Sequence, residues 1–191
     1  MASNNIWNNE NLIKALKSGD IAVMPTDTLY GIVGKAENGE TVNRIYELRR
    51  RAPNKPCIML IADVNELEKF SVSLSEKQKD AVKKYWTNSS DPTSIVLECL
   101  DKKFEYLHRG TKTLAFRLPA QKELRDLILK TGPLVAPSAN LEGLPPAKNI
   151  TEAQKYFGDF VDIYIDGGEI GGKASKVIEL RKDGSALILR K

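Results

Sequence analysis

The segment "MPTDTLYGIVG", Met24 to Gly34, places Thr26, Asp27, Thr28, Tyr30 and two glycines directly after the apolar run "IAVM". Hydroxyls and flexible points at the end of a buried strand mark a place where chemistry sits on a rigid scaffold. A second polar group is the run "RIYELRRRAPNK", which holds Arg44, Arg49, Arg50, Arg51 and Lys55 against a single Glu47. Such a cluster is either a solvated helix end, which Lys and Arg favour, or an anion site for phosphate or a nucleic-acid backbone. "PSAN" follows another apolar run, and Arg117 stands near the end of a third. If these strands are neighbours, the polar groups meet on one rim, where open α/β sheets bind ligands. Hydroxyls, an amide and guanidiniums suit an anionic, hydroxyl-rich ligand such as a nucleotide. No carboxylate pair for acid/base hydrolysis stands out.

The elements that must position these groups follow from periodicity and stop signals. A first helix is expected over residues 9–18, with Leu12, Ile13 and Leu16 on one face and Gly19 as its stop. "IAVM" reads as a buried strand ending at Pro25. "GETVNRIYELRRR" reads as a helix with Val42, Ile45 and Tyr46 inward, delivering the basic cluster to the loop "APNKP" before the strand "CIMLI". Ser75 and Gln78, and again Thr151 and Gln154, have capping-box spacing before helical runs. "SIVLEC" and "TLAFRL" read as strands, the latter with Leu114, Phe116 and Leu118 opposite Ala115 and Arg117. "QKELRDLILKTG" is a helix, followed by the short strand "LVA". "DIYI", "KVIEL" and "ALIL" close the chain, the last two forming a hairpin around Asp183-Gly184. The expected fold is α/β: one domain over residues 1–191, with a twisted mixed sheet and flanking helices.

Composition narrows the chemistry. The chain has 191 residues, 41% hydrophobic and 28% charged, as in an ordinary globular domain. No apolar run approaches the roughly 18 residues of a membrane span. The start lacks a basic region followed by an apolar core, so no secretory signal is read. Two cysteines, Cys57 and Cys99, in strand-like runs fit a cytoplasmic protein without a disulfide framework. A single histidine, His108, excludes a histidine-rich metal site, and nothing around "YLHRG" suggests a Ser-His-Asp triad. Net charge is +4, from 29 basic and 25 acidic residues, so its distribution matters more than its total.

The motifs resemble those of the YrdC/Sua5 family, the threonylcarbamoyl-adenylate synthases that make the precursor of a tRNA base modification. Pro25 to Gly31 match the family's P-T-[DE]-T-x-Y-G throughout. Arg49, Arg51, Lys55 and Pro56 answer its K-x-R and P-L segment, "TLAFRLP" its arginine strand, and "PSANLEG" its S-A-N motif. "ASKVIEL" corresponds to its S-T-V strand and Arg190 to its closing arginine. The resemblance covers nearly the whole chain and implies a short-form YrdC-like domain. It further implies that L-threonine, bicarbonate and ATP are joined into threonylcarbamoyl-AMP with loss of pyrophosphate. Threonine's amine adds CO₂, and the carbamate carboxylate attacks the α-phosphorus. A Mg²⁺ held mainly by the ATP phosphates is expected, with no residue assigned as acid or base.

The resemblance assigns roles to individual residues. Thr28, Tyr30, Arg117 and Ser175 would hold threonine, with Arg117 on its carboxylate. Arg49, Arg51, Lys55, Thr113, Ser138, Asn140 and Arg190 would hold ATP, with Arg51 and Lys55 supplying positioning and electrostatics. Plainer roles stay open: a turn bond for Thr28, core packing for Tyr30, a local turn for Ser138 and Asn140. Gly31 and Gly34 are expected to permit backbone bends. Weak tRNA contact through the basic face and downstream tRNA-modification proteins are the partners implied. The sequence also departs from the family pattern. Arg49 stands for a lysine, "CIMLIAD" lacks a histidine, and "WTNSSDPTS" spreads out the W-P-G-P segment. Pro137, Glu142 and Lys176 stand for threonine, serine and threonine. These departures keep two alternatives in view: a divergent paralogue forming another carbamoyl adenylate, and a non-enzymatic RNA-binding module. The absence of an RNA-reading aromatic signature weighs against the latter.

Overall fold

The computed structural model describes residues 5–87 and 91–191; part of "WTNSSDPTS" lies outside them. Helix α1 (Glu10–Ser18) starts where the Asn9 side chain accepts from the amides of Asn11 and Leu12, and stops at left-handed Gly19. Strand β1 (Ala22–Pro25) then runs into β2 (Tyr30–Lys35), its antiparallel neighbour. No strand is expected from the sequence over this stretch, only two glycines that permit bends; Tyr30–Lys35 is nonetheless a strand. Gly31 and Gly34 serve close packing. A Cβ on Gly34 would lie 2.4 Å from Thr41 Cγ2, and one on Gly31 3.1 Å from Thr26 Cγ2.

Helix α2 (Gly39–Leu48) ends before the arginine run expected to extend it. Arg50 adopts a φ of 50°, and the amides of Arg50 and Arg51 turn back to the carbonyls of Glu47 and Tyr46. The arginines therefore leave the helix and enter a loop. Strand β3 (Ile58–Leu60) follows, then helix α3 (Glu76–Thr87), whose start carries the expected reciprocal Ser75–Gln78 box. Strand β4 (Thr93–Glu98), the single-turn α4 (Glu105–His108), strand β5 (Thr113–Arg117), helix α5 (Lys122–Thr131) and β6 (Leu134–Val135) come next. Helix α6 (Ile150–Phe157) is not capped by Thr151. Asn149 precedes it, and its side chain accepts from the amide of Glu152 at 3.0 Å, so the Thr151–Gln154 spacing is incidental. Strand β7 (Ile163–Tyr164) and the hairpin β8 (Lys176–Leu180) to β9 (Ala186–Arg190), with left-handed Gly184 in its turn, complete the chain.

Among the described residues the nine strands form one mixed sheet in the order β7-β1-β2-β6-β3-β5-β4-β8-β9. Pairings β1/β7, β3/β5 and β4/β8 are parallel, the others antiparallel. Alternation sends Val23, Ile32 and Phe116 to the face covered by α2 and Ala22, Met24 and Val33 to the face covered by α1 and α5. Helices thus flank both sides, and central strands bury both of theirs. That is why Ala115 and Arg117, on the polar side of the β5 alternation, are as buried as Leu114 and Phe116. Among the described residues no helix is long and apolar enough to cross a membrane, and Cys57 and Cys99 are buried free thiols.

Candidate functional site

A cavity with about 520 Å³ of empty space, open to solvent, forms where the β1–β2 turn, the end of β5, the loop after β6 and residues around β8 and β9 meet. The turn is closed by Thr26, whose hydroxyl donates to the Leu29 carbonyl at 2.7 Å and accepts from the Leu29 amide. With that proton committed, the 3.2 Å contact between the two threonine hydroxyls has Thr28 as donor. The Thr28 oxygen then accepts from Arg117 Nη2 at 3.3 Å. Thr28 therefore lines the cavity as part of a hydrogen-bonded chain, 7% exposed. Tyr30 also lines it, while its hydroxyl accepts from the Gly167 amide at 2.9 Å and donates to the Gly168 carbonyl at 2.8 Å. Burial pushes this phenol above its ordinary pKa. Its ring thus walls the site and also anchors the glycine-rich loop that returns to Ala174 and Ser175.

Arg117 is expected to pair with the threonine carboxylate, and the sequence names no partner for it inside the protein. It has one: Asp27 takes Nη2 at 2.8 Å and Nε at 3.2 Å, in a pair whose side chains are each 4% exposed. Sequence reasoning missed Asp27, although an acidic position inside "PTDT" and a buried strand arginine together signal such a pair. Arg117 Nη1 has no hydrogen-bond partner among the described residues, and Arg117 lines the cavity. A ligand carboxylate would meet a guanidinium already half-engaged and held in place.

The cationic wall continues with Arg51 and Arg190. Arg51 donates to the carbonyls of Lys55 (2.8 Å) and Pro56 (2.9 Å), which fixes its guanidinium at the rim. Arg190 grips the Ser175 carbonyl at 2.8 and 3.0 Å, and Ser175 shares a 2.8 Å hydroxyl contact with Ser94, a fully buried residue that carried no sequence signal of its own. Burial lowers the Arg190 pKa first, and the neighbouring charges of Arg117 and Arg51 lower it further. Three guanidiniums that repel one another around a space with no acidic lining residue favour an anionic ligand.

The remaining candidates lie beside the cavity or away from it. Ser138 lines it and donates to Asn140 Oδ1 at 2.7 Å. Asn140 is consumed internally, its amide donating to the carbonyls of Leu141 and Leu144 at 2.8 Å. Arg49 lies beneath this loop, donating to the Ser138 carbonyl at 2.9 Å and to Asn140 at 3.0 Å. Burial, reinforced by Arg51, lowers its pKa to about 10, so it stays charged at neutral pH. Arg49 thus braces "PSAN" from below. Lys55 is bound to Glu142 at 2.5 Å and is not a lining residue. Thr113 starts β5, at the end opposite Arg117, and its hydroxyl bonds Thr111; the strand's length keeps it from the cavity.

Comparison with known proteins gives a consistent placement. The Sua5/YciO/YrdC family, described as telomere recombination, matches residues 14–191. Threonylcarbamoyl-AMP synthase of Bacillus subtilis (strain 168) is 33% identical over 177 residues, 91% of this chain and 50% of that one. The protein of the same name from Pyrococcus abyssi is 31% identical over 167 residues, 86% of this chain and 48% of that one. The chain thus spans about half the length of these curated relatives. The crystal structure of P. abyssi Sua5 complexed with L-threonine superposes with a TM-score of 0.83 at 28% identity, covering 97% of this chain and 53% of that one.

Proposed function

The chain belongs to the Sua5/YciO/YrdC family, and on that premise we propose that it makes L-threonylcarbamoyladenylate from L-threonine, bicarbonate and ATP. The observation that carries this is the convergence of Arg51, Arg117 and Arg190 on one cavity that also exposes Thr28 and Ser138. Threonine sits at the Thr28–Arg117 end, its carboxylate toward Arg117 and its amine, carrying CO₂ as a carbamate, toward the nucleotide. A carbamate oxygen attacks the α-phosphorus while the bond to the β-phosphate bridging oxygen breaks and pyrophosphate leaves with those electrons. Carbamate formation from the amine and bicarbonate releases water. In the transfer step that follows, attacker and leaving group are both anions, so no side chain has to move a proton there. Positioning and stabilisation of charge are what the residues supply. In reaction class this is nucleotidyl transfer.

The residues do not fit a dedicated metal site: among the described residues no cluster of three or more His, Cys, Asp or Glu could hold an ion. Asp27, a carboxylate beside the cavity-lining Thr26 and Thr28, is engaged by Arg117. Mg²⁺ therefore enters this proposal only as the counter-ion that ATP brings with it. Supply of the adenylate to tRNA-modification proteins in the cytoplasm, with weak tRNA contact through the basic face, completes the proposal. Mass spectrometry of nucleotide products made with ¹³C-bicarbonate tests it. A labelled threonylcarbamoyl-AMP is expected. A labelled carbamoyl adenylate lacking threonine would assign the chain to a divergent paralogue instead.

A further inference from the structure

The basic loop already holds an anion, and that anion is part of the protein. Glu142 Oε1 lies 2.5 Å from Lys55 Nζ, while Oε2 accepts the backbone amide of Ala52. The Glu142 amide is itself tied to the Arg49 carbonyl at 2.8 Å, which sets the carboxylate against the loop. Lys55 is held from the other side as well, because Arg51 grips its carbonyl. One ammonium and one backbone amide on two oxygens of one acid is how a phosphate group is commonly cradled. Ala52 directly follows Arg51, the lining residue at this rim of the cavity, so the cradle adjoins the space assigned to the triphosphate.

We propose that Glu142 determines which anions the basic loop accepts: its carboxylate fills the Ala52–Lys55 cradle, and a nucleotide phosphate binds there by displacing it. This rests on the reading that Lys55 serves ATP phosphates. The exchange is energetically feasible because the side chains of Lys55 and Glu142 are 59% and 26% exposed, and ion pairs in such surroundings are weak. A terminal phosphate carries about 1.5 to 2 negative charges at neutral pH against one on the carboxylate, so it wins the exchange where a singly charged anion does not. Lys55 and Ala52 hold phosphate; Glu142 touches no ligand and acts by occupying their cradle.

Titration calorimetry of the full chain with ATP, and separately with inorganic tripolyphosphate, tests this in wild type, E142Q, K55A and the double variant. E142Q should bind both about fivefold tighter, the worth of a partly exposed ion pair. That gain should vanish in the K55A background. E142D, which keeps the charge but is one methylene too short to span both donors, should fall between wild type and E142Q; it serves as the second probe if E142Q folds poorly. If K55A weakens ATP binding while neither E142Q nor E142D tightens it, the displacement by phosphate is wrong and the nucleotide site stands. If no variant, wild type included, binds ATP or tripolyphosphate, the nucleotide reading itself falls, and this inference with it.

Discussion

Arg117 and Arg51 bring the same guanidinium to the same cavity by opposite means. Arg117 ends a strand paired on both sides, with a buried carboxylate against it and a threonine hydroxyl beside it. Arg51 stands in a loop after a helix that ends early, and its partners are main-chain oxygens of that loop. Lys55, four residues on, is more than half exposed and paired with Glu142. The difference matches what each end would recognise. A small amino acid needs a fixed, dry seat, because discrimination between similar side chains requires buried groups that a wrong ligand leaves unpaired. A flexible triphosphate tolerates, and uses, a seat whose occupant can be exchanged.

The comparison can be broken most forcefully at Asp27. Asp27→Ala leaves the Arg117 guanidinium buried without its charge partner, which should cost about 3–5 kcal/mol of folding stability. Urea unfolding checks this, and a loss below the range typical of surface pairs would mean the strand end is no more rigid than the loop. Lys55→Ala, by contrast, should shift the unfolding midpoint only slightly, because its pair with Glu142 is partly exposed.

The next effect is on ligand binding. Arg51→Ala removes charged hydrogen bonds worth about 1.5–3 kcal/mol, so ATP affinity should fall roughly ten- to a hundredfold with the fold intact. Calorimetry with ATP, alongside a melting curve, separates lost phosphate contact from a loosened loop. Unaltered ATP affinity would leave Arg51 with only its structural bonds to the loop carbonyls.

Thr28→Val is a smaller and more selective change. Turn closure is carried by Thr26, so the turn should survive, while the cavity loses one hydroxyl. Threonine affinity should drop by about 0.5–1.5 kcal/mol, with ATP binding near wild type. A lower melting temperature with an unaltered threonine response would mean that the hydroxyl serves the fold.

The smallest effect is on pH dependence. Lys55, together with the Ala52 amide, holds the Glu142 carboxyl below its ordinary pKa. A depressed carboxylate contributes stability that is present above the unfolded-state value and lost as pH falls through the folded one. Melting temperatures of wild type and Glu142→Gln should therefore differ at neutral pH and converge in acid. A difference that grows in acid would contradict the pairing.

Much of this was legible in the chain itself. Periodicity and caps located α1, α5 and the β8–β9 hairpin, because their stop signals are local. The Tyr30–Lys35 strand was hidden because its glycines look like bends, and only Thr41 and Thr26 packed against them reveal close approach. Thr28, Arg51, Arg117, Ser138, Ser175 and Arg190 do meet at one cavity, or, like Tyr30, wall it. The residues the sequence concealed are partners: Asp27 for Arg117, Ser94 for Ser175 and Glu142 for Lys55. Each lies far along the chain from its mate, and long-range pairing has no signature in spacing. Arg49 and Asn140 have residue types that suit a ligand, yet most of their hydrogen bonds go to each other and to the surrounding loop backbone.

The central claim is that one cavity joins a firmly seated amino acid to an exchangeable phosphate site. Following pyrophosphate release from ATP, with threonine and bicarbonate supplied together and each omitted in turn, tests it most directly. Release only when both are present is the predicted result. Equal release without bicarbonate, or with serine in place of threonine, would contradict it.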